Sequence, residues 1–104
     1  MSELETSTDT TQEEETFLFP EYRILIWNDE TSDFRAVLAL IQEVFSYPEQ
    51  EAYEITLSVH ENTNATVWSG TYEVGELRLE QAHAFIKNNE EFLKELKLTL
   101  EEGS

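Results

Sequence analysis

Two places in this chain gather side chains able to do chemistry. One is Asn28-Asp29-Glu30-Thr31-Ser32-Asp33, which follows the apolar run Ile24-Leu25-Ile26-Trp27 with no glycine or proline at the join. The other is His60, four residues after Thr56 and so on the same face of a helix. The second of the two histidines, His83, falls in the middle of a helical segment and is expected at the surface. Two histidines at unrelated spacing and no cysteine do not make a zinc site. The oxygen-rich stretch lacks the central glycine and closing glutamate of a calcium loop. No nucleophile elbow, phosphate loop or dinucleotide fingerprint is present. With 23 acidic residues in 104, no carboxylate pair stands out as acid and base. The expectation is no catalytic residue, no metal and no cofactor, which leaves binding.

Asn28, Asp29 and His60 converge if the second helix folds back beside the exit of the first strand. An amide oxygen, a carboxylate and an imidazole can each accept a hydrogen bond from an ammonium group. Ser32, Phe34, Val37, Thr56 and Val59 then supply an apolar wall beside that cradle. Such an arrangement suits the N-terminus of a peptide whose first side chain is hydrophobic.

The formal net charge of −17 repels nucleic-acid phosphate and anionic lipid, so neither is an expected partner. It favours a basic surface or a cationic ligand group, and a mimic of DNA acting through charge alone is one reading of it. No apolar run approaches the roughly 20 residues of a membrane span, and no basic stretch leads an apolar one near Met1. With the lack of cysteine, this points to the cytoplasm.

The elements that must position these residues are legible in the pattern. Residues 1–16 hold six acidic residues, no basic one and no aromatic, and are expected to be a disordered extension to a core domain over 17–104. Tyr22–Trp27 reads as a strand with both faces largely covered. Phe34, Val37, Leu38, Ile41, Val44 and Phe45 then keep helical spacing, with Ser32 as the expected N-cap and Asp33 in the first turn. Pro48 suits the first turn of a second helix, with Ala52, Ile55, Thr56 and Val59 inward. A short strand over Thr66–Ser69 follows. Thr71 caps a third helix running to about Asn89, with Val74, Leu77, Ala82, Phe85 and Ile86 inward. Leu96, Leu98 and Leu100 alternate along a last strand. The order β-α-α-β-α-β predicts an α+β fold: a three-stranded antiparallel sheet with three helices on one face.

Residues 20–100 resemble the ClpS adaptors of the Clp proteases. The likeness rests on "YRILIWND" entering a helix, on "VLALIQEVFSYPEQEAYEITLSVHE" and on "TYEVGELRLEQA". The family shows an apolar strand ending in Asn-Asp-Asp, here Asn28-Asp29-Glu30. Its E-x-A-x-x-x-x-L-x-V-H becomes Glu51-Ala52 through Leu57, Val59 and His60. Its threonine-led E-V-A-E-x-K becomes Thr71, Glu73-Val74-Gly75-Glu76 and Arg78.

The resemblance implies a fold shared with the C-terminal domain of the ribosomal stalk protein. It implies an adaptor that binds N-degrons beginning with Leu, Phe, Tyr or Trp and delivers them to a Clp AAA+ unfoldase of the ClpA or ClpC type. The α-amino group would fall to Asn28, Asp29 and His60, and the side chain to Ser32, Phe34, Val37, Thr56, Val59 and Leu93. Glu73 and Arg78 would dock a monomer on the unfoldase N-terminal domain, and residues 1–16 would take part in delivery. The family usually carries methionine where Phe34 and Thr56 stand, often proline at Asp33, and His-Pro-Leu where this chain has Glu91-Phe92-Leu93. The pocket is therefore expected to be reshaped, with its own first-residue preference. The alternative is a ClpS-like protein that docks on the unfoldase without binding N-degrons.

Overall fold

A computed structural model describes residues 20–103. The expected extension over 1–16, and the outermost residues of the expected core, lie outside the described residues. The central strand, β1 (Tyr22–Trp27), lies between β2 (Asn64–Gly70) and β3 (Lys97–Glu102) and pairs antiparallel with both. Between them run α1 (Phe34–Phe45), α2 (Glu49–Glu61), α3 (Tyr72–Asn88) and a single turn, α4 (Glu90–Leu93), which the sequence pattern had not separated.

Ile24 and Ile26 are wholly buried against the helices, together with Val67, Leu98, Leu40 and Ile41. The opposite face of β1 departs from expectation. Arg23 is exposed, and Leu25 and Trp27 are only half-buried. The Trp27 indole N–H donates to Thr99 Oγ1 across the sheet at 2.8 Å, so a neighbouring strand rather than a second helical layer covers the ring. The aromatic and β-branched composition that suggested two covered faces reflects cross-strand packing on the second face.

A register shift opposite Ile24 and Leu25 leaves Val67 as an extra residue in β2. Such a bulge bends the edge strand and lets consecutive residues serve one side. Val67 lies inside the core, and Trp68 packs against it. The Val67 carbonyl accepts from the Tyr47 hydroxyl at 2.9 Å, which covers part of the free edge.

Two helix features correct the sequence reading. The N-cap of α1 is Asp33, not Ser32: its carboxylate accepts from the Arg35 backbone N–H at 2.9 Å. Ser32 instead donates to Asp29, a charged and hence stronger acceptor. On α3, Val74 and Leu77 are 43% and 52% exposed rather than inward. The inward stripe runs through Gly75, Leu79, Ala82 and Ile86, and its two most buried members carry little or no side chain. A Cβ on Gly75 would lie 2.7 Å from Leu100 Cδ1 and 3.0 Å from Trp68 Cζ3. Glycine there lets the helix backbone press against a tryptophan on the sheet.

Candidate functional site

The segment between β1 and α1 is tied at both ends. The Asn28 N–H donates to the Thr63 carbonyl at 2.9 Å, joining it to the turn after α2. The Asp33 N–H donates to the Phe92 carbonyl at 3.0 Å, joining it to α4. Between these ties the Asp29 carboxylate gathers the loop about itself. It accepts from the Thr31 N–H at 3.2 Å, from the Thr31 hydroxyl at 3.1 and 3.0 Å on its two oxygens, and from the Ser32 hydroxyl at 2.6 Å. Partial burial alone would raise its pKa, but these hydrogen bonds, Ser32's foremost, outweigh it and hold the carboxyl below its ordinary 3.8. Asp29 is therefore both the anion of the loop and its internal fastener.

One recess is lined by Asn28, Asp29 and His60 together with Ser32, Phe34, Val37, Thr56 and Val59. The strand exit supplies the first two, and α2 brings Thr56, Val59 and His60 to face them at spacings of three and one. Thr56 is 2% exposed and its hydroxyl donates to the Ala52 carbonyl at 2.7 Å. With the hydroxyl spent inside its own helix, the residue meets the recess as an apolar wall. Leu96 completes the lining. Leu93 is not part of it; this residue is wholly buried as the last residue of α4. The Leu96 N–H donates back to the Leu93 carbonyl, so the chain turns once more before β3 and Leu96 arrives at the wall. Periodicity marked Leu96 as a strand residue, but nothing in the pattern announced the turn of α4 that aims it.

Phe34 is half-buried, and two rings of α2 hold it. Tyr53 meets it edge-on with centroids 5.4 Å apart at 65°, and His60 at 6.1 Å and 84°. Tyr53 went unnoticed in the sequence because it lies off the inward stripe and is 47% exposed. Its spacing of seven residues from His60 is what could have disclosed the bracket. The free volume of the recess is about 10 Å³, roughly the room one water needs. A leucine or phenylalanine side chain does not fit without movement. Among the large apolar residues of the lining, Phe34 is the one that is not buried.

Glu73 and Arg78 lie elsewhere, on α3. Glu73 is exposed beside Tyr72, whose ring packs on Tyr22 at 5.0 Å. Arg78 donates to Gln81 Oε1 at 3.1 Å. Tyr22 marks the far end of β1 from Asn28, so Glu73 and the recess occupy opposite ends of the sheet. His83 is exposed on α3. Among the described residues, no group of three or more His, Cys, Asp or Glu side chains is placed to hold a metal ion. No helix among them is long and apolar enough to cross a membrane.

With this geometry in place, comparisons with known proteins agree on one family. The family described as "ATP-dependent Clp protease adaptor protein ClpS" matches residues 18–99. The ATP-dependent Clp protease adapter protein ClpS of Desulfotalea psychrophila is 34% identical over 71 residues, 68% of this chain and 70% of that protein. The ClpS of Myxococcus xanthus is 33% identical over 84 residues, 81% of this chain and 78% of the other. The structure of Agrobacterium tumefaciens ClpS2 bound to L-phenylalaninamide superposes with a TM-score of 0.73. It covers 81% of this chain and 98% of that one, at 20% identity, a likeness of fold.

Proposed function

The chain belongs to the ClpS family of ATP-dependent Clp protease adaptors, and from that premise we propose that it binds N-degrons in the recess beneath Phe34. It hands the proteins that bear them to a Clp unfoldase. The observation that carries this reading is the lining of a single recess by Asn28, Asp29 and His60 with Phe34, Val37, Thr56 and Val59. An α-ammonium group brings three N–H donors and no acceptor. The three polar residues offer acceptors, and the Asp29 carboxyl stays ionised well below neutral pH. The apolar members take the first side chain, Leu, Phe, Tyr or Trp, once Phe34 swings aside.

Docking falls to Glu73 and Arg78, which flank the exposed Val74 and Leu77, with the exposed Tyr72 beside Glu73. An apolar surface rimmed by charge is the usual form of a protein contact. The partner is the N-terminal domain of a ClpA- or ClpC-type unfoldase, met by a monomer in the cytoplasm. Separation of this surface from the recess leaves both free to be occupied together.

A peptide with free N-terminal Phe or Leu is expected to bind in the micromolar range, about 8 kcal/mol. Acetylating its amino group removes the ammonium and is expected to abolish binding, as read by fluorescence anisotropy. Equal binding of free and acetylated peptides overturns the assignment. One observation favours a second reading: the recess is nearly filled as it stands. A protein that docks on the unfoldase through α3 without taking N-degrons would bind the isolated unfoldase domain and ignore every such peptide.

A further inference from the structure

The two edges of the sheet are built differently. β3 carries Lys97, Glu101 and Glu102, charges of the kind that keep an edge from pairing with another chain. β2, the other edge, reads Asn64-Ala65-Thr66-Val67-Trp68-Ser69-Gly70 and holds no charged residue and no proline. The Tyr47 hydroxyl caps the Val67 carbonyl. Before the bulge, Ala65 and Thr66 pair in regular order with Ile26 and Leu25. Consecutive residues of an antiparallel strand turn their backbone groups to opposite sides, so one of these two presents its N–H and C=O away from β1. We propose that this stretch of edge, with the groove beside it, binds an extended basic segment of a partner protein by strand addition.

The groove has a volume of about 500 Å³ and runs between β2 and α2. Its floor is Tyr47, Ile55 and Ala65, each packed against the core. From α2 come Glu51, Glu54 and Ser58, at spacings that share one helix face with Ile55. Thr56, Val59 and His60 lie on another face of α2 and line the recess, so the two sites are separate. Glu51 and Glu54 are both exposed. α2 contains four glutamates and no lysine or arginine, and β2 contains no charge of either sign. Neither element bordering the groove neutralises this pair, and the complement to it is a cation brought by a partner. A lysine or arginine in an added strand lays its alkyl stem on the apolar floor and carries its charge to the carboxylates. Alternate side chains of a strand share a face, so the fitting segment has a cation at every second residue. An acidic segment meets only repulsion there.

The probe is the N-acetylated peptide Thr-Arg-Thr-Arg-Thr-Arg-Thr, labelled at its C-terminus and titrated by anisotropy against the whole chain. We expect saturation with a dissociation constant of roughly 0.1 mM. The same residues in blocks, Thr-Thr-Arg-Arg-Arg-Thr-Thr, should bind about tenfold more weakly, and a peptide with Glu for each Arg should not bind. Methylating the backbone nitrogens of the arginines, or those of three threonines, removes donors from opposite edges of the peptide strand, so only one set should abolish binding. Glu51→Gln with Glu54→Gln should weaken binding about three- to tenfold, in line with two partly exposed ion pairs. Glu80→Gln with Glu90→Gln, exposed on α3 and α4, controls for net charge and should leave it intact. The proposal is overturned if the alternating peptide fails to saturate by about 1 mM, or if it binds no better than the blocked one. Equal effects of the two methylated sets, or of the two double variants, also overturn it. So does displacement of the probe by a saturating free-amine Phe-Ala peptide, which would place it in the recess.

Discussion

Replacing Tyr53 with alanine should tighten N-degron binding, although Tyr53 does not line the recess. The recess as it stands holds about 10 Å³, so a first side chain enters only when Phe34 leaves its place. Leaving breaks the edge-on contact with Tyr53 at 5.4 Å. An aromatic pair of this kind is worth about 0.5–1.5 kcal/mol beyond its buried area. Tyr53→Ala removes that stabilisation from the closed arrangement and leaves the open one untouched. The apparent affinity for a Phe-initiated peptide should then rise by the same free energy, about two- to twelvefold. At 47% exposure Tyr53 contributes little to the core, so the fold should survive. Tyr53→Phe keeps the ring and should bind like the parent. Anisotropy titrations with free and acetylated peptide read all three proteins. An unchanged or weakened affinity in Tyr53→Ala refutes the reasoning: Phe34 would then stay in its bracket while the peptide binds, as a wall and not a gate.

Two further outcomes concern the scaffold. Asp29→Asn should lower stability by about 1 kcal/mol, the difference between charged and neutral hydrogen bonds, as read by urea unfolding. Because the Asp29 carboxyl is held below 3.8 in the folded chain, its contribution is present above that value and is lost as pH falls through the folded value. The gap between parent and variant should therefore stay level from pH 7 to pH 5 and close only below 3.8; a gap that closes between pH 7 and 5 contradicts the assigned hydrogen bonds. Gly75→Ala should lower the melting temperature, since overpacking of about 1–3 kcal/mol exceeds the roughly 1 kcal/mol gained in helix propensity. In a Leu100→Ala background the same change should cost less, because the nearest obstacle, Leu100 Cδ1 at 2.7 Å, is gone, and an equal loss in both backgrounds would show that Leu100 is not the obstacle.

The strands, the three long helices and eight members of the recess were legible because each rests on local pattern. Alternation located Ile24 and Ile26, and helical spacing put Val37, Thr56 and Val59 on inward faces. What escaped depends on which of two local options wins in three dimensions. Ser32 and Asp33 are both good caps, and the choice fell to Asp33 because the Asp29 carboxylate drew Ser32 away. On α3 the eye follows large apolar residues, yet contact with the sheet demanded small ones, so Val74 and Leu77 turned outward. Leu93 and Leu96 exchanged places because a single helical turn, too short to leave a period, lies between α3 and β3.

The Gly103 N–H donates to the Glu21 carbonyl at 2.7 Å, which clasps the two ends of the described chain together beside Tyr22. The recess opens six residues away, at the far end of β1, a separation of about 20 Å. The molecule therefore has a handle and a jaw. The described chain both enters, at Pro20, and leaves, at Gly103, by the handle. A surface linkage made at Glu21 or Gly103 leaves the jaw facing outward, whereas one made through Lys97, beside Trp27, turns it to the wall.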